Sequence, residues 1–329
     1  MNTRNIKTLA IVLVALLLGL FATRLTNDQN DSSGGGLLLP GLKAQINEIS
    51  KVTIRKAGET ATLRNDGGNW VQTERLDYPI DTGKLRQLIL AVGDAKKLEE
   101  KTSNPEMYGR LGVEDIGDDS QGTEIRIAGA DSETAVIIGN LAQRSYRYAR
   151  VPGEEKSWLI DQDPTLPSGA SGWLLLEILD IDQSRVQSVT ITHADGETIR
   201  IEKENAADRD YKVPDIPDGR ELSYPSIVDG IGGVLGGLNL QDVDKASKAE
   251  KDDSFATTVF TTFDGLEITI ESSLREANTW VTVTATGSDS ALDEAVEINA
   301  RLNDWVFQLQ KHKADQLRRR WTDILKAEE

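Results

Sequence analysis

The sequence predicts an α+β protein: an N-terminal transmembrane helix followed by two tandem copies of a sheet-rich module made of antiparallel hairpins and short helices. Three observations predict it. An uncharged apolar stretch fills residues 8–23, a hairpin pattern recurs once along the chain, and two tryptophan pairs stand at almost the same spacing. A length of 329 residues suits about two folding units, each with its own core.

The apolar stretch lies between Lys7 and Arg24. As a helix rising about 1.5 Å per residue it covers roughly 24 Å of a hydrocarbon core about 30 Å thick. Ile6 and Leu25 extend it, and Lys7 and Arg24 can snorkel to the interfaces. Arg4 and Lys7 precede the span and Asp28 and Asp31 follow it. The positive-inside rule then leaves the amino terminus in the cytoplasm and the body in the periplasm, a single pass through the inner membrane. A cleaved signal peptide is the competing reading; the absence of a small-residue pair at the cleavage positions around residues 18–24 favours the uncleaved anchor. Residues 1–25 are thus the cytoplasmic stub and anchor, and 26–45 the tether, polar and glycine-rich up to Gly36. Its end, Leu37-Leu38-Leu39-Pro40-Gly41-Leu42, is expected to dock on the folded body, with contact to lipid or a membrane partner as the alternative.

The rest reads as one unit written twice, 46–180 and 185–327. Val52-Thr53-Ile54 reappears as Val189-Thr190-Ile191, and Gly58-Glu59-Thr60 as Gly196-Glu197-Thr198, each a strand, a glycine turn and a returning strand. Trp70-Val71 is answered by Tyr211-Lys212-Val213, and Tyr78-Pro79 by Tyr224-Pro225. In the helix that follows Tyr78-Pro79 in the first copy, Asp81 is a suitable N-cap and Leu85, Leu88, Ile89 and Val92 share one face. Its counterpart at 226–238 is loosened by five glycines. A second hairpin follows in each copy. Trp158 and Trp305 stand 147 positions apart, Trp173 and Trp321 148. Matching Trp305 with Trp158 makes 304–309 a strand between helices at 292–302 and 313–326, although 291–326 could pass as one long helix.

Composition excludes several chemistries. With 37 Lys and Arg against 54 Asp and Glu the chain carries a formal charge of −17, which argues against nucleic acid as a partner. The absence of cysteine excludes thiol catalysis and iron–sulfur clusters, and His193 and His312 are too few for a multi-histidine zinc centre. The glycines at 230–237 lack the spacing of a dinucleotide fingerprint, and no phosphate-loop motif occurs. Ser171 stands in Gly169-Ala170-Ser171-Gly172-Trp173, which misses the nucleophile-elbow pattern at its last glycine. Acidic pairs such as Asp161 with Asp163 and Asp242 with Asp244 read as solvated loop charge, and Arg318-Arg319-Arg320 as a solvated helix face. No catalytic residue, cofactor or metal is expected. One surface is a candidate interaction face: strand alternation puts Arg144, Tyr146, Tyr148 and Arg150 on one side, and Tyr and Arg are common anchors of protein contacts.

The order of short motifs then becomes informative. After the amino-terminal span come Leu39-Pro40-Gly41-Leu42, Ile49-Ser50-Lys51-Val52-Thr53-Ile54, Trp70, and Asn104-Pro105-Glu106-Met107-Tyr108-Gly109-Arg110-Leu111-Gly112. Ile138-Gly139, residues 146–150 and Trp158-Leu159-Ile160 follow. This order resembles the bacterial family called domain of unknown function 4340, with Arg110 departing from the commoner Tyr-Gly-Leu run. The resemblance implies a single-span envelope protein, often encoded beside ABC-type transport systems whose auxiliary subunits are similar to those of gliding motility, and it carries no catalytic residues. The expectation is a non-enzymatic, membrane-anchored periplasmic protein, an accessory or interaction subunit of an ABC-type transport complex whose partners are the inner membrane and permease or auxiliary subunits. The alternative is a periplasmic enzyme or ligand-binding protein acting on envelope polymers through a cleft between the copies.

Overall fold

The computed structural model describes residues 35–130, 132–143, 145–248 and 255–327. The stretch 8–23 expected to span a membrane lies outside them, and no helix among the described residues is long and apolar enough to cross one. In chain order the first strands are β1 (Lys51–Lys56), β2 (Glu59–Asp66), β3 (Asn69–Gln72), β4 (Tyr78–Pro79), β5 (Lys97–Thr102), β6 (Thr123–Ala128), β7 (Glu133–Gln143), β8 (Tyr146–Arg150) and β9 (Ser157–Ile160). Then come β10 (Glu177–Leu179), β11 (Val186–His193), β12 (Thr198–Glu202), β13 (Leu238–Lys245), β14 (Ala256–Thr262), β15 (Leu266–Arg275), β16 (Asn278–Gly287) and β17 (Trp305–Leu309). The helices are α1 (Thr82–Asp94), α2 (Tyr108–Leu111), α3 (Asp229–Gly232), α4 (Leu292–Leu302), α5 (Lys311–Leu317) and α6 (Trp321–Ile324). The fold is therefore α+β and rich in antiparallel sheet, as the sequence predicts.

Two units form. The first takes the described residues up to Asn65 together with Thr82–Pro167; the second takes Asp66–Asp81 together with the chain from Ser168 onward. In the first unit the strands run β2-β1-β6-β7-β8-β9-β5. In the second they run β12-β11-β14-β15-β16-β17-β13-β10, so the first seven positions repeat the same permutation of chain order. The recurring Gly58 and Gly196 have φ of 73° and 88° at the first hairpin of each unit, a region open to glycine without a Cβ penalty.

The first unit buries the alternate positions that its pattern marks. Val52 and Ile54 lie opposite Leu63 and Ala61 on one side and opposite Ile127 and Ile125 on the other. Helix α1 buries Leu85, Leu88, Ile89 and Val92, a stripe at helical spacing. The leucine run at the amino end is docked on this unit: Leu38, Leu39 and Leu42 are buried. The Leu38 amide donates to the Ala95 carbonyl at 2.7 Å and the Lys97 amide to the Gly36 carbonyl at 2.9 Å, so residues 36–38 continue the sheet beside the start of β5. In the second unit β10 holds the corresponding place beside β13.

The second unit draws part of its core from residues 66–81. Tyr78 is buried with its ring edge-on to Trp305 at 4.9 Å and to Phe307 at 6.2 Å. Burial raises the Tyr78 phenol to about 12, against a smaller opposing pull from Arg301. Strand β16 pairs with β17 only at Trp280 and Val281. Farther along, Asn299 of α4 takes the place of a neighbouring strand. Its side-chain oxygen accepts from the Ala285 amide at 2.8 Å, and its side-chain nitrogen donates to the Ala285 carbonyl at 2.7 Å.

Strand β17 falls between two helical segments, but the expected helix at 313–326 is two short helices, α5 and α6. Tertiary contacts divide it. The Thr258 hydroxyl donates to the Leu317 carbonyl at 3.0 Å, and His193 Nε2 lies 3.0 Å from the Arg319 carbonyl, occupying acceptors that a continuous helix would need. Arg318-Arg319-Arg320 is consequently a connection and not a helix face, with the Arg320 guanidinium 2.8 Å from both Asp195 and Glu197. That pairing is the second largest influence holding Asp195 below the ordinary carboxylate range, after the Glu197 amide donated to it.

Candidate functional site

The motifs at 104–112, Gly139 and 146–150 converge in the first unit. Asn104 starts the first of them: its side-chain oxygen accepts from the Glu106 amide at 3.1 Å, and Pro105 occupies the first helical position. Gly112 ends it, with φ of 68° and its amide turned back onto the Tyr108 and Gly109 carbonyls. The resulting turn lies directly on strand β7. A Cβ on Gly139 would stand 2.3 Å from the Leu111 carbonyl oxygen, and one on Gly122 would stand 2.2 Å from that of Gly112. Both glycines are required by the approach of two backbones.

Arg150 fastens this turn to the sheet. Its guanidinium lies over the Tyr108 ring at 4.6 Å. Nε donates to the Val113 carbonyl at 2.7 Å, Nη1 to the Glu154 carbonyl at 3.2 Å, and Nη2 to the Asp115 carboxylate. The Tyr108 hydroxyl donates to the Glu155 carbonyl. Arg147 makes a second fastening, with Nε 2.6 Å from Asp163 and Nη1 donating to the Gly139 carbonyl at 3.2 Å.

The face expected to mediate contacts is graded along β8. Arg144 lies outside the described residues. Tyr146 is 41% exposed, Tyr148 is half-buried opposite Leu159, and Arg150 is 4% exposed. Alternation does place Tyr146, Tyr148 and Arg150 on one side, but the 108–122 segment covers the Arg150 end. Tyr146 is the one of the three that offers a broad exposed surface. Sequence reasoning missed Tyr108, Val113 and Asp115 as partners of Arg150; the cluster of turn motifs around residues 104–112 was the available signal.

The other residues weighed for chemistry have structural partners. Ser171 receives the Arg75 guanidinium at 3.1 Å, and Arg75 also lies 3.0 Å from Asp242. His193 is buried and faces the Arg319 carbonyl. The glycine-rich segment turns its carbonyls inward: Lys313 Nζ donates to those of Gly233, Val234 and Gly236 at 3.2, 2.9 and 2.7 Å. A phosphate-binding loop presents amides, so this cradle has the opposite sign. Burial draws the Lys313 ammonium below the usual lysine range, partly opposed by Asp180. The acidic pairs are bound and not merely solvated, since Asp163 pairs with Arg147, Asp244 with Arg275 at 3.0 Å, and Asp161 accepts the Lys96 amide at 2.8 Å. Among the described residues no three metal-ligating side chains gather.

The family model described as domain of unknown function (DUF4340) matches residues 70–269, which include the 104–112 turn, Gly139, Arg150 and Trp158. No curated protein and no solved structure matches the chain. A match over more than half of its length shows that this chain belongs to the DUF4340 family.

Proposed function

We propose that this chain is a non-enzymatic periplasmic body, tethered to the inner membrane by residues 8–23 and serving as an accessory or interaction subunit of an ABC-type transport complex. The single observation that carries the reading is where the family's motif residues go. Tyr108, Gly139, Arg147 and Arg150 are all engaged in fastening one turn to one sheet, so the motif accounts for architecture. The shared strand permutation of the two units supports an origin by tandem duplication of one module. The apolar stretch flanked by Lys7 and Arg24 supports the tether.

The test is affinity purification of the full chain from cross-linked, detergent-solubilised membranes. Co-recovery of an ABC-type permease or auxiliary subunit is expected. Recovery of the chain alone after efficient cross-linking would overturn the proposal.

A further inference from the structure

A cavity of about 630 Å³ opens at one end of the second unit's sheet, within the size range of small-ligand sites. Leu274 and Thr279, cross-strand neighbours beside the β15–β16 turn, line it together with Leu309 of β17 and Ala314 of α5. Its charged lining is Lys311, Arg318 and Arg319 against Asp315 and Asp323, a local excess of positive charge in a chain of −17. Both carboxylates have other partners: Lys311 holds Asp315 at 2.9 Å, and Asp323 accepts the Arg320 amide at 2.9 Å. Arg319 donates Nε to Gln316 at 3.4 Å and Nη1 to the Asp323 carbonyl at 3.3 Å.

The wall of this cavity also holds an unusual backbone. Glu276 and Ala277 form the β15–β16 turn with φ of 49° and 66°, left-handed values that glycine or asparagine would adopt more readily. Ala277 lines the cavity, so the strained turn shapes its mouth.

We propose that the cavity binds a small amphiphilic anion, its anionic head at the Arg319 guanidinium and its apolar part against Leu274. A lining in which cationic side chains stand beside the exposed Leu274 side chain suits such a ligand better than a bare inorganic anion or a neutral hydrocarbon.

The test uses the full chain in lipid nanodiscs, with ¹⁹F NMR of 4-fluorobenzoate as probe and empty nanodiscs as blank. Saturable broadening at one site per chain is expected, reversed by benzoate but not by equal concentrations of 4-fluorobenzyl alcohol or inorganic phosphate. Arg319→Gln should weaken binding at least tenfold. Asn278→Asp, which adds negative charge at an exposed lining position, should weaken it at least threefold with the thermal transition unchanged, and it decides the matter if the Arg319 variant unfolds. Broadening no greater than the blank, equal displacement by the alcohol or by phosphate, or wild-type binding in the Asn278 variant would overturn the proposal.

Discussion

Arg150→Ala removes the fastening between the 108–122 turn and the sheet, and its cost can be worked from the contacts. Val113 is fully buried, so its carbonyl loses its Arg150 donor out of reach of water, costing about 1–3 kcal/mol. The desolvated contact with the Tyr108 ring contributes about 1–2 kcal/mol. Asp115 has an 82% exposed side chain, so its ion pair adds roughly 0–1 kcal/mol after screening. The contributions sum to about 2–6 kcal/mol, with a midpoint of about 4 kcal/mol, borne by the first unit. A chain of two units need not unfold in one step, so a global midpoint would blur the effect. Hydrogen exchange read peptide by peptide resolves it. Amides of residues 108–122 and β8 should exchange roughly 10²–10³-fold faster, while β15 and β16 keep their wild-type rates. Less than a fivefold change at 108–122, or an equal change in the second unit, would refute the assignment of Arg150 as the fastening group.

Three further outcomes follow from particular contacts. Gly139→Ala sets a methyl against the Leu111 carbonyl oxygen, backbone that cannot rotate away, and should destabilise the 108–122 turn by about 3 kcal/mol on the same exchange assay. Asn299→Ala leaves the Ala285 amide and carbonyl without their side-chain partner and should cost about 2 kcal/mol, read as faster exchange at Ala285; Asn299→Asp should fail to rescue at neutral pH, because a carboxylate cannot donate to the Ala285 carbonyl. The Asp264 carboxyl is held below its ordinary range first by the Thr262 hydroxyl and then by Arg185. Its depressed value stabilises the folded state above the unfolded-chain pKa of about 4 and loses that contribution as pH falls through the folded value. The stability gap between wild type and Asp264→Asn, followed by circular dichroism, should therefore shrink between about pH 5 and 2.

Much of the architecture was legible because strands write their period into the sequence. The alternation of Val52-Thr53-Ile54 and Val189-Thr190-Ile191, with a glycine turn after each, marks the two first hairpins, and both appear. Trp305 reads as a strand residue within a helix-forming stretch only through its spacing from Trp158. What the sequence could not show are choices between distant partners. Tyr78 reads as part of the first copy, yet its ring packs on Trp305 and Phe307, a preference invisible to local pattern. The break at Arg318 to Arg320 is imposed by His193, Thr258, Asp195 and Glu197, all from the beginning or middle of the second unit. For the candidate face, alternation correctly groups Tyr146, Tyr148 and Arg150, but it carries no information about the turn that covers one end of that face.

The most direct test of the account places a photoreactive residue on the open end of that face, as Tyr146→p-benzoylphenylalanine in the full chain in native membranes. Irradiation should yield an adduct containing an ABC-type permease or auxiliary subunit, absent when the same residue replaces buried Tyr108. Irradiation that leaves the Tyr146 variant uncross-linked, although it is folded and present at wild-type levels, would contradict the claim that this body works by contact with a membrane partner.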